Sequence, residues 1–497
     1  MNMGVGKGQQ TEQASLSEAF LSGDADRCVE IARRLAVVSG VGAHPLETLL
    51  PIAEVHDRRA ELLDLSDRLA GAAPQDCRLL ELGATLLMQL GDLDKAEGRL
   101  RDALERRPGH LPALSVLSCT LTQAGRFDEA RNVLEQMLAL DPRDPSTLSN
   151  IAYIVAAGGD LHGAINLYRQ AIQLKPDHPQ MRLNYSIALL KAGYFQQGWS
   201  EHEWRFRLPG HTSLPMAQLL PNITDTLDLR GKHVLVTQEE GYGDTFMYLR
   251  FLPLLAQKGA IIRVWGADIM ADLCARVQGV ASVQCGGTTP HYDYHCPFIS
   301  LPRAFVASPQ PFGADPPYIA ADPAKSAYFA GKLLDDRNLR VGLVWSGAPR
   351  RDQTEPFMLD QRRSMKLETL RPLFDLTKTS FYSLQKGIAA NQLAEAETPI
   401  IDLMPECRTM DDTAALIDNL DIVVSVDTSV VHLAGAMNKP VLLMDRVNPC
   451  WRWMTDRQDS PWYPSLRILR QTRAWDWGDV VSSVRNLLNI EAERKTS

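Results

Sequence analysis

A 34-residue period in the first two fifths of the chain limits what it can fold into. Gly91, Gly125, Gly159 and Gly193 keep that spacing, as do Pro74, Pro108, Pro142 and Pro176. Ala96, Ala130 and Ala164 keep it too, with Gly198 next in register. A repeat of this length is one supersecondary unit that buries its apolar face only by stacking on its neighbours. Here each unit reads as two antiparallel helices. The glycine permits the left-handed turn between them, the small residue lets their backbones approach, and the proline stops the second helix. Small residues recur in the first helix at Ala84, Ser118, Ala152 and Ser186, while Leu93, Phe127, Leu161 and Phe195 follow each turn and anchor the next helix. Residues 76–207 are therefore predicted to form a helical array. Upstream the register weakens: Gly23 stays in phase and Asp57 replaces the turn glycine. Residues 1–75 read as degenerate helical repeats or a cap, which a stacking array needs at its end.

The unit resembles the tetratricopeptide repeat, and such arrays commonly bind extended polypeptide on the face lined by their first helices. Asn150 and Asn184 occupy the equivalent first-helix position one repeat apart. An amide there can pair with both the N–H and the C=O of a bound peptide backbone, so these two are the candidate acceptor-binding residues. In the similar O-GlcNAc transferases a long ladder of asparagines has that role. Leu82 and Val116 fill the preceding equivalents, so any ladder here is short. The alternative reading is two polar residues on a solvated helix face.

Past Leu208 the pattern changes to short β-rich runs separated by helical segments. HVLVT (233–237), IIRVW (261–265), VGLVW (341–345), SFYSL (380–384), IVVSV (422–426) and PVLLM (440–444) read as buried parallel strands. The region is too long for one typical domain, so two sheets across a cleft are predicted, over 208–320 and 321–497, with Asp315 to Tyr328 as linker. The last helical stretch, about Trp475 to Glu493, either crosses back or caps the second sheet. With 52 Lys+Arg against 60 Asp+Glu the formal charge is -8, which argues against a general nucleic-acid binder. No apolar run is long enough to span a membrane and the start of the chain is polar, so a cytoplasmic location is expected. The eight cysteines form no Cys-x-x-Cys pair, and buried thiols are expected rather than a metal site or a disulfide framework.

Two segments carry chemistry. The first strand runs into Gln238-Glu239-Glu240-Gly241-Tyr242-Gly243-Asp244-Thr245, ahead of a helical run. Glycines at that junction let a ligand approach the backbone, although Asp244 would also suit a helix cap. The second is Ser425-Val426-Asp427-Thr428-Ser429-Val430-Val431-His432-Leu433-Ala434-Gly435-Ala436. A buried strand brings Asp427 to the sheet edge, Thr428 and Ser429 open a helix, and His432 follows one turn in. Open α/β sheets bind ligands at that edge, and hydroxyls with free N–H groups at a helix start suit a nucleotide's phosphates without a metal.

Together with Ile299-Ser300-Leu301-Pro302, Val344-Trp345-Ser346-Gly347, Arg363-Ser364, Ser383-Leu384-Gln385-Lys386-Gly387, Asp412-Thr413-Ala414-Ala415, Trp451-Arg452-Trp453 and Ser460-Pro461-Trp462-Tyr463-Pro464, these segments resemble the heptosyltransferase-like GT-B glycosyltransferases, in the subgroup with N-terminal tetratricopeptide repeats. The resemblance implies an α plus α/β chain: a repeat solenoid followed by a GT-B pair of Rossmann-like domains. It implies Asp244 as general base, deprotonating an acceptor hydroxyl. It implies donor contacts from Gly243, Ser346, Gly347, Arg363, Gln385, Asp427, Thr428, Ser429 and His432. Arg350, Arg351, Arg362 and Arg363 form a four-arginine cluster that reads as a clamp for a diphosphate or a sugar carboxylate, or as a solvated loop. Cys450 stands where an acidic residue is expected. Trp462 and Tyr463 read as core. The only Asp-x-Asp pairs, Asp24/Asp26 and Asp92/Asp94, lie in the repeats, so transfer without metal or cofactor is expected, leaving-group charge falling on the helix dipole and arginines.

The function this implies is transfer of a sugar from a nucleotide-sugar donor to a protein Ser/Thr hydroxyl, the acceptor being recruited by the repeats; flagellin is one candidate. The alternatives are glycosylation of lipopolysaccharide or another glycan, or a non-catalytic repeat scaffold with a degenerate transferase half.

Overall fold

The computed structural model describes residues 3–39, 44–73, 75–211, 213–308, 310–350 and 354–496. Two compact units emerge. The first is Met1–Leu174 with Pro349–Gln361, the second Lys175–Ala348 with Arg362–Ser497.

The first unit is helical. Its hairpins are Met3–Ser22 with Ala25–Ser39, Leu50–Val55 with Arg59–Ala72, Cys77–Leu90 with Leu93–Arg106, Leu111–Gln123 with Phe127–Leu140, and Pro145–Ala157 with Leu161–Leu174. The chain takes a positive φ at Gly23, Asp57, Gly91, Gly125 and Gly159, so the 34-residue turn position runs through the upstream region, and Asp57 adopts the left-handed geometry that glycine holds elsewhere. The second helices stop two residues short of Pro108, Pro142 and Pro176. Ala96, Ala130 and Ala164 are fully buried, as close helix approach requires. Carboxylates of Asp76, Asp92 and Asp144 cap the helices that follow them.

The segment Pro349–Gln361 belongs to this unit. Met358 packs in one core with Leu87, Met88, Leu117, Leu121 and Ile154, and the Arg59 guanidinium lies 5.4 Å from the Phe357 ring centroid. Arg350 is gripped by Asp360, with contacts of 3.0 and 2.8 Å from its guanidinium and 3.1 Å from its backbone N–H. Arg350 is thus already spent on Asp360 and does not join a four-arginine clamp. Arg350 is neutralised within the first unit, Arg351 lies outside the described residues, and Arg362 and Arg363 belong to the second unit.

The second unit begins with one more hairpin, Pro179–Lys191 and Phe195–His202. Its Trp199 is buried against Trp451 and Tyr248, with ring centroids 5.0 and 6.1 Å apart. Two parallel sheets follow. The first has strands β1 (His233–Thr237), β2 (Ile261–Trp265), β3 (Val280–Gln284) and β4 (Tyr294–Pro297) in the order β3-β2-β1-β4. The second has β5 (Leu339–Val344), β6 (Thr379–Ser383), β7 (Ile400–Asp402), β8 (Ile422–Val426), β9 (Val441–Asp445) and β10 (Leu466–Arg470) in the order β10-β9-β8-β5-β6-β7. Four of these strands, β3, β4, β7 and β10, lie outside the six predicted from apolar runs. β3, β4 and β7 lie toward sheet edges, where burial is incomplete and polar residues break the apolar run; β10 carries arginines at both Arg467 and Arg470. The linker is also shorter than predicted, because Asp322 caps a helix over Pro323–Lys332. The final helix, Gly478–Thr496, buries Val480, Val481, Val484 and Leu488 on the second sheet and so caps it.

Candidate functional site

The carboxyl ends of β5, β6, β8, β9 and β10 lie along one edge, because the sheet is parallel throughout and its registers align. Val344 pairs with Ser425, Val426 with Met444, and Arg470 with Asp445. Asp427 and Thr428 therefore leave the sheet beside Asp445 and Arg446. Thr428 is extended and precedes the helix Ser429–Ala436 without capping it through its side chain, although its hydroxyl lies 3.2 Å from that of Ser425. The first amides of that helix face this edge, where an anion is favoured.

Gly347, Arg363 and Asp427 come together. The Arg363 guanidinium lies over Gly347, where a Cβ would meet three of its atoms within 3.0 Å. Arg363 also donates to the Asp427 carbonyl at 2.6 Å. Ser346 is half-buried, and its hydroxyl donates to the Gly347 carbonyl at 3.0 Å. The Gln385 amide fixes this turn: its Oε1 accepts from the N–H groups of Trp345 and Ser346 at 3.1 and 2.9 Å, and its Nε2 donates to the carbonyls of Ser346 and Lys386. Gln385 is 3% exposed. Its side chain thus shapes the turn, where the family resemblance had implied a donor contact.

The other cluster joins the two sheets. A Cβ on Gly243 would sit 2.8 Å from Cδ2 of His432 and 3.4 Å from Cα of Ser429, so the helix Tyr242–Tyr248 packs directly on the start of the helix Ser429–Ala436. Asp244 belongs to this contact. Rather than capping its helix, it forms an ion pair with Arg452, whose side chain is largely buried. His432 is 4% exposed, stacks on Trp453 with centroids 5.3 Å apart, and shares a 3.0 Å hydrogen bond between Nδ1 and the Tyr463 hydroxyl. Burial pushes His432 down to about 4, so the ring is neutral near pH 7. Its place is in the packing beneath the site. Trp462 and Tyr463 are core, and Tyr463 fills the space left by Gly435. Cys450, where an acid was expected, accepts from Arg452 at 2.9 Å.

The asparagines are separated by the division of the chain. Asn150 is exposed in the first unit; Asn184 lies in the second, where Gln180 donates to its side chain at 2.9 Å. Glu239, unassigned from sequence, is held by Arg205 at 2.9 Å and by His211 at 2.5 Å. Among the described residues no three His, Cys, Asp or Glu side chains converge to hold a metal, and no helix is long and apolar enough to cross a membrane.

Two protein families match parts of this chain, and several known proteins are similar to parts of it. The tetratricopeptide repeat family matches residues 87–149, and glycosyltransferase family 9 (heptosyltransferase) matches residues 382–454, from the end of β6 to just past Arg452. Protein FlbA of Caulobacter vibrioides is 24% identical over 349 residues, covering 62% of this chain and 55% of that protein. The chain thus spans about half the length of this curated relative. Among solved structures, the thermophilic repeat protein TTC0263 of Thermus thermophilus is 20% identical, covering 37% of this chain and 99% of its own, with a TM-score of 0.29. MamA from Desulfovibrio magneticus is 18% identical, covering 33% of this chain and 90% of its own, with a TM-score of 0.27. The chain is thus similar to tetratricopeptide-repeat proteins over residues 87–149 in the first unit and to family 9 glycosyltransferases (heptosyltransferases) over residues 382–454 in the second.

Proposed function

We propose that this chain transfers a sugar from a nucleotide-sugar donor to a Ser/Thr hydroxyl of a protein that the repeats recruit. The observation that supports this reading is the direct packing of Gly243, the neighbour of Asp244, on Ser429 and His432, at the start of the helix proposed to hold the phosphates. In the proposed reaction Thr428, Ser429 and the first amides of their helix hold the donor's phosphates, with the Ser346-Gly347 turn and Arg363 on the neighbouring strand end. Arg452 grips one Asp244 oxygen and orients the carboxylate, which takes the proton of the acceptor hydroxyl as that oxygen attacks the anomeric carbon. Charge on the departing phosphate is met by the helix start and by arginine, and we propose that no metal is needed.

Fusion of a protein-binding repeat array to the transferase favours a protein acceptor over a glycan. Flagellin is the first candidate to test, on the family resemblance, with Asn150 and Asn184 as contacts. The experiment is mass spectrometry of co-expressed candidate acceptors, flagellin included, after incubation with UDP, GDP, CMP and ADP sugars. Glycan addition by the wild type and its loss in Asp244→Asn, with donor binding kept, is the expected result. Wild-type transfer by Asp244→Asn removes the proposed base. Modification of a glycan and of no protein removes the acceptor reading.

A further inference from the structure

The Asp445–Arg446 edge lies one strand from Thr428 and carries more positive charge than its own acids balance. Arg446 directly follows β9 and is 8% exposed, and its Nε is buried without a hydrogen-bond partner. Lys191, the last residue of the helix Pro179–Lys191, is 5% exposed and donates at 2.7 Å to the neutral amide of Asn448. Arg362 also has a buried Nε without a partner. Lys191 lies within electrostatic reach of Arg446, Asp445, Cys450 and Arg470; Arg446 lies within reach of Arg362, Asp445, Cys450 and Asp427. Of the two acids, Asp445 is already engaged by Arg470 at 3.1 Å. Among the described residues, four cations therefore face two carboxylates.

Burying unbalanced charge is costly because the low-dielectric interior does not replace the lost hydration. Burial, then Arg446, pull Lys191 down to about 8, the direction expected of an ammonium lacking a counter-ion. A bound anion relieves that cost, and guanidinium groups suit oxyanions because their donors match the oxygen spacing.

We propose that Lys191, Arg362 and Arg446 form a second oxyanion subsite, beside the phosphate site at Thr428, that holds a further acidic group of the donor: a second phosphate or a carboxylate on the sugar. This rests on the donor reading above. It gives the last repeat hairpin a part in donor binding, through Lys191.

The test uses the full chain and its Lys191→Met and Arg446→Met variants, with calorimetric titration and thermal unfolding. Inorganic pyrophosphate is expected to bind the wild type and to bind each variant at least tenfold more weakly. The melting temperature of each unliganded variant should be unchanged or higher, since an unbalanced buried cation is gone. Two arms separate the sources. If the group is a second phosphate, UDP, GDP or ADP binds the wild type tighter than its monophosphate, and the difference vanishes in the variants. If it is a carboxylate, mono- and diphosphates bind alike, and glucuronate binds the wild type and loses affinity in the variants. Equal binding of pyrophosphate, nucleotides and glucuronate by wild type and variants overturns the subsite but leaves the donor reading intact. A lower melting temperature with unchanged anion affinity makes Lys191 and Arg446 structural cations and also overturns it. Failure of every nucleotide to bind the wild type sinks the donor reading, while pyrophosphate still reports on the subsite by itself.

Discussion

Gly243→Ala tests the contact on which the candidate site is built. Gly243 is helical, so alanine there meets no backbone strain, and helix propensity alone favours it by about 1 kcal/mol. Against that gain stands a Cβ placed 2.8 Å from Cδ2 of His432. The imidazole has little room to yield, because it is stacked on Trp453 and hydrogen-bonded to Tyr463. Overpacking of this kind costs ~1–3 kcal/mol. The expected net loss is therefore up to about 2 kcal/mol, read from denaturant unfolding followed by tryptophan fluorescence. The decisive measurement is the same substitution in a His432→Ala background. There the space is open, the propensity gain survives and the clash does not, so Gly243→Ala becomes neutral or stabilising. The coupling between the two positions equals the clash that disappears, ~1–3 kcal/mol, within the range for contacting residues. An equal effect of Gly243→Ala in both backgrounds refutes the direct packing of the two helices.

Four further outcomes are expected. Arg452→Met leaves the partly buried Asp244 carboxylate without its partner and should cost ~3–5 kcal/mol, whereas Arg452→Lys recovers part of it in the same unfolding assay. Burial holds His432 at about 4 and His202 at about 3, both below the unfolded value of 6.5. The unfolded chain then binds more protons than the folded one below about pH 6.5, and stability falls as pH drops through that window. His432→Asn should flatten part of the fall in melting temperature measured from pH 7 to pH 4. Removing residues 1–174 should leave the second unit folded by circular dichroism, while removal through His202 takes out Trp199 and should not. Gln385→Ala releases the N–H groups of Trp345 and Ser346, costs ~1–3 kcal/mol and weakens nucleotide binding in calorimetry.

The repeat array was legible because each feature of its period has one local cause. A left-handed turn, a close helix approach and a helix stop each demand a residue type, and even Asp57 met the first demand. Buried strands were legible for a similar reason: β8 and β9 are apolar on both faces. What stayed hidden depends on partners distant in sequence. Nothing local to Arg452 announces Asp244, 208 residues away. Lys191 looks like an ordinary end to a repeat helix until its burial is known. Gln385 and His432 were picked out as functional, and the structure spends the amide of one on backbone and the ring of the other on packing, a distinction that residue type cannot make.

The last repeat hairpin keeps the period of its predecessors yet shares its core with the two parallel sheets through Leu190 and Trp199. Modularity in this chain therefore ends one repeat earlier than the periodic motif does. An engineer grafting a foreign recognition array should cut near Leu174 and retain the final hairpin, since a splice after it would tear hydrophobic side chains out of the two-sheet half.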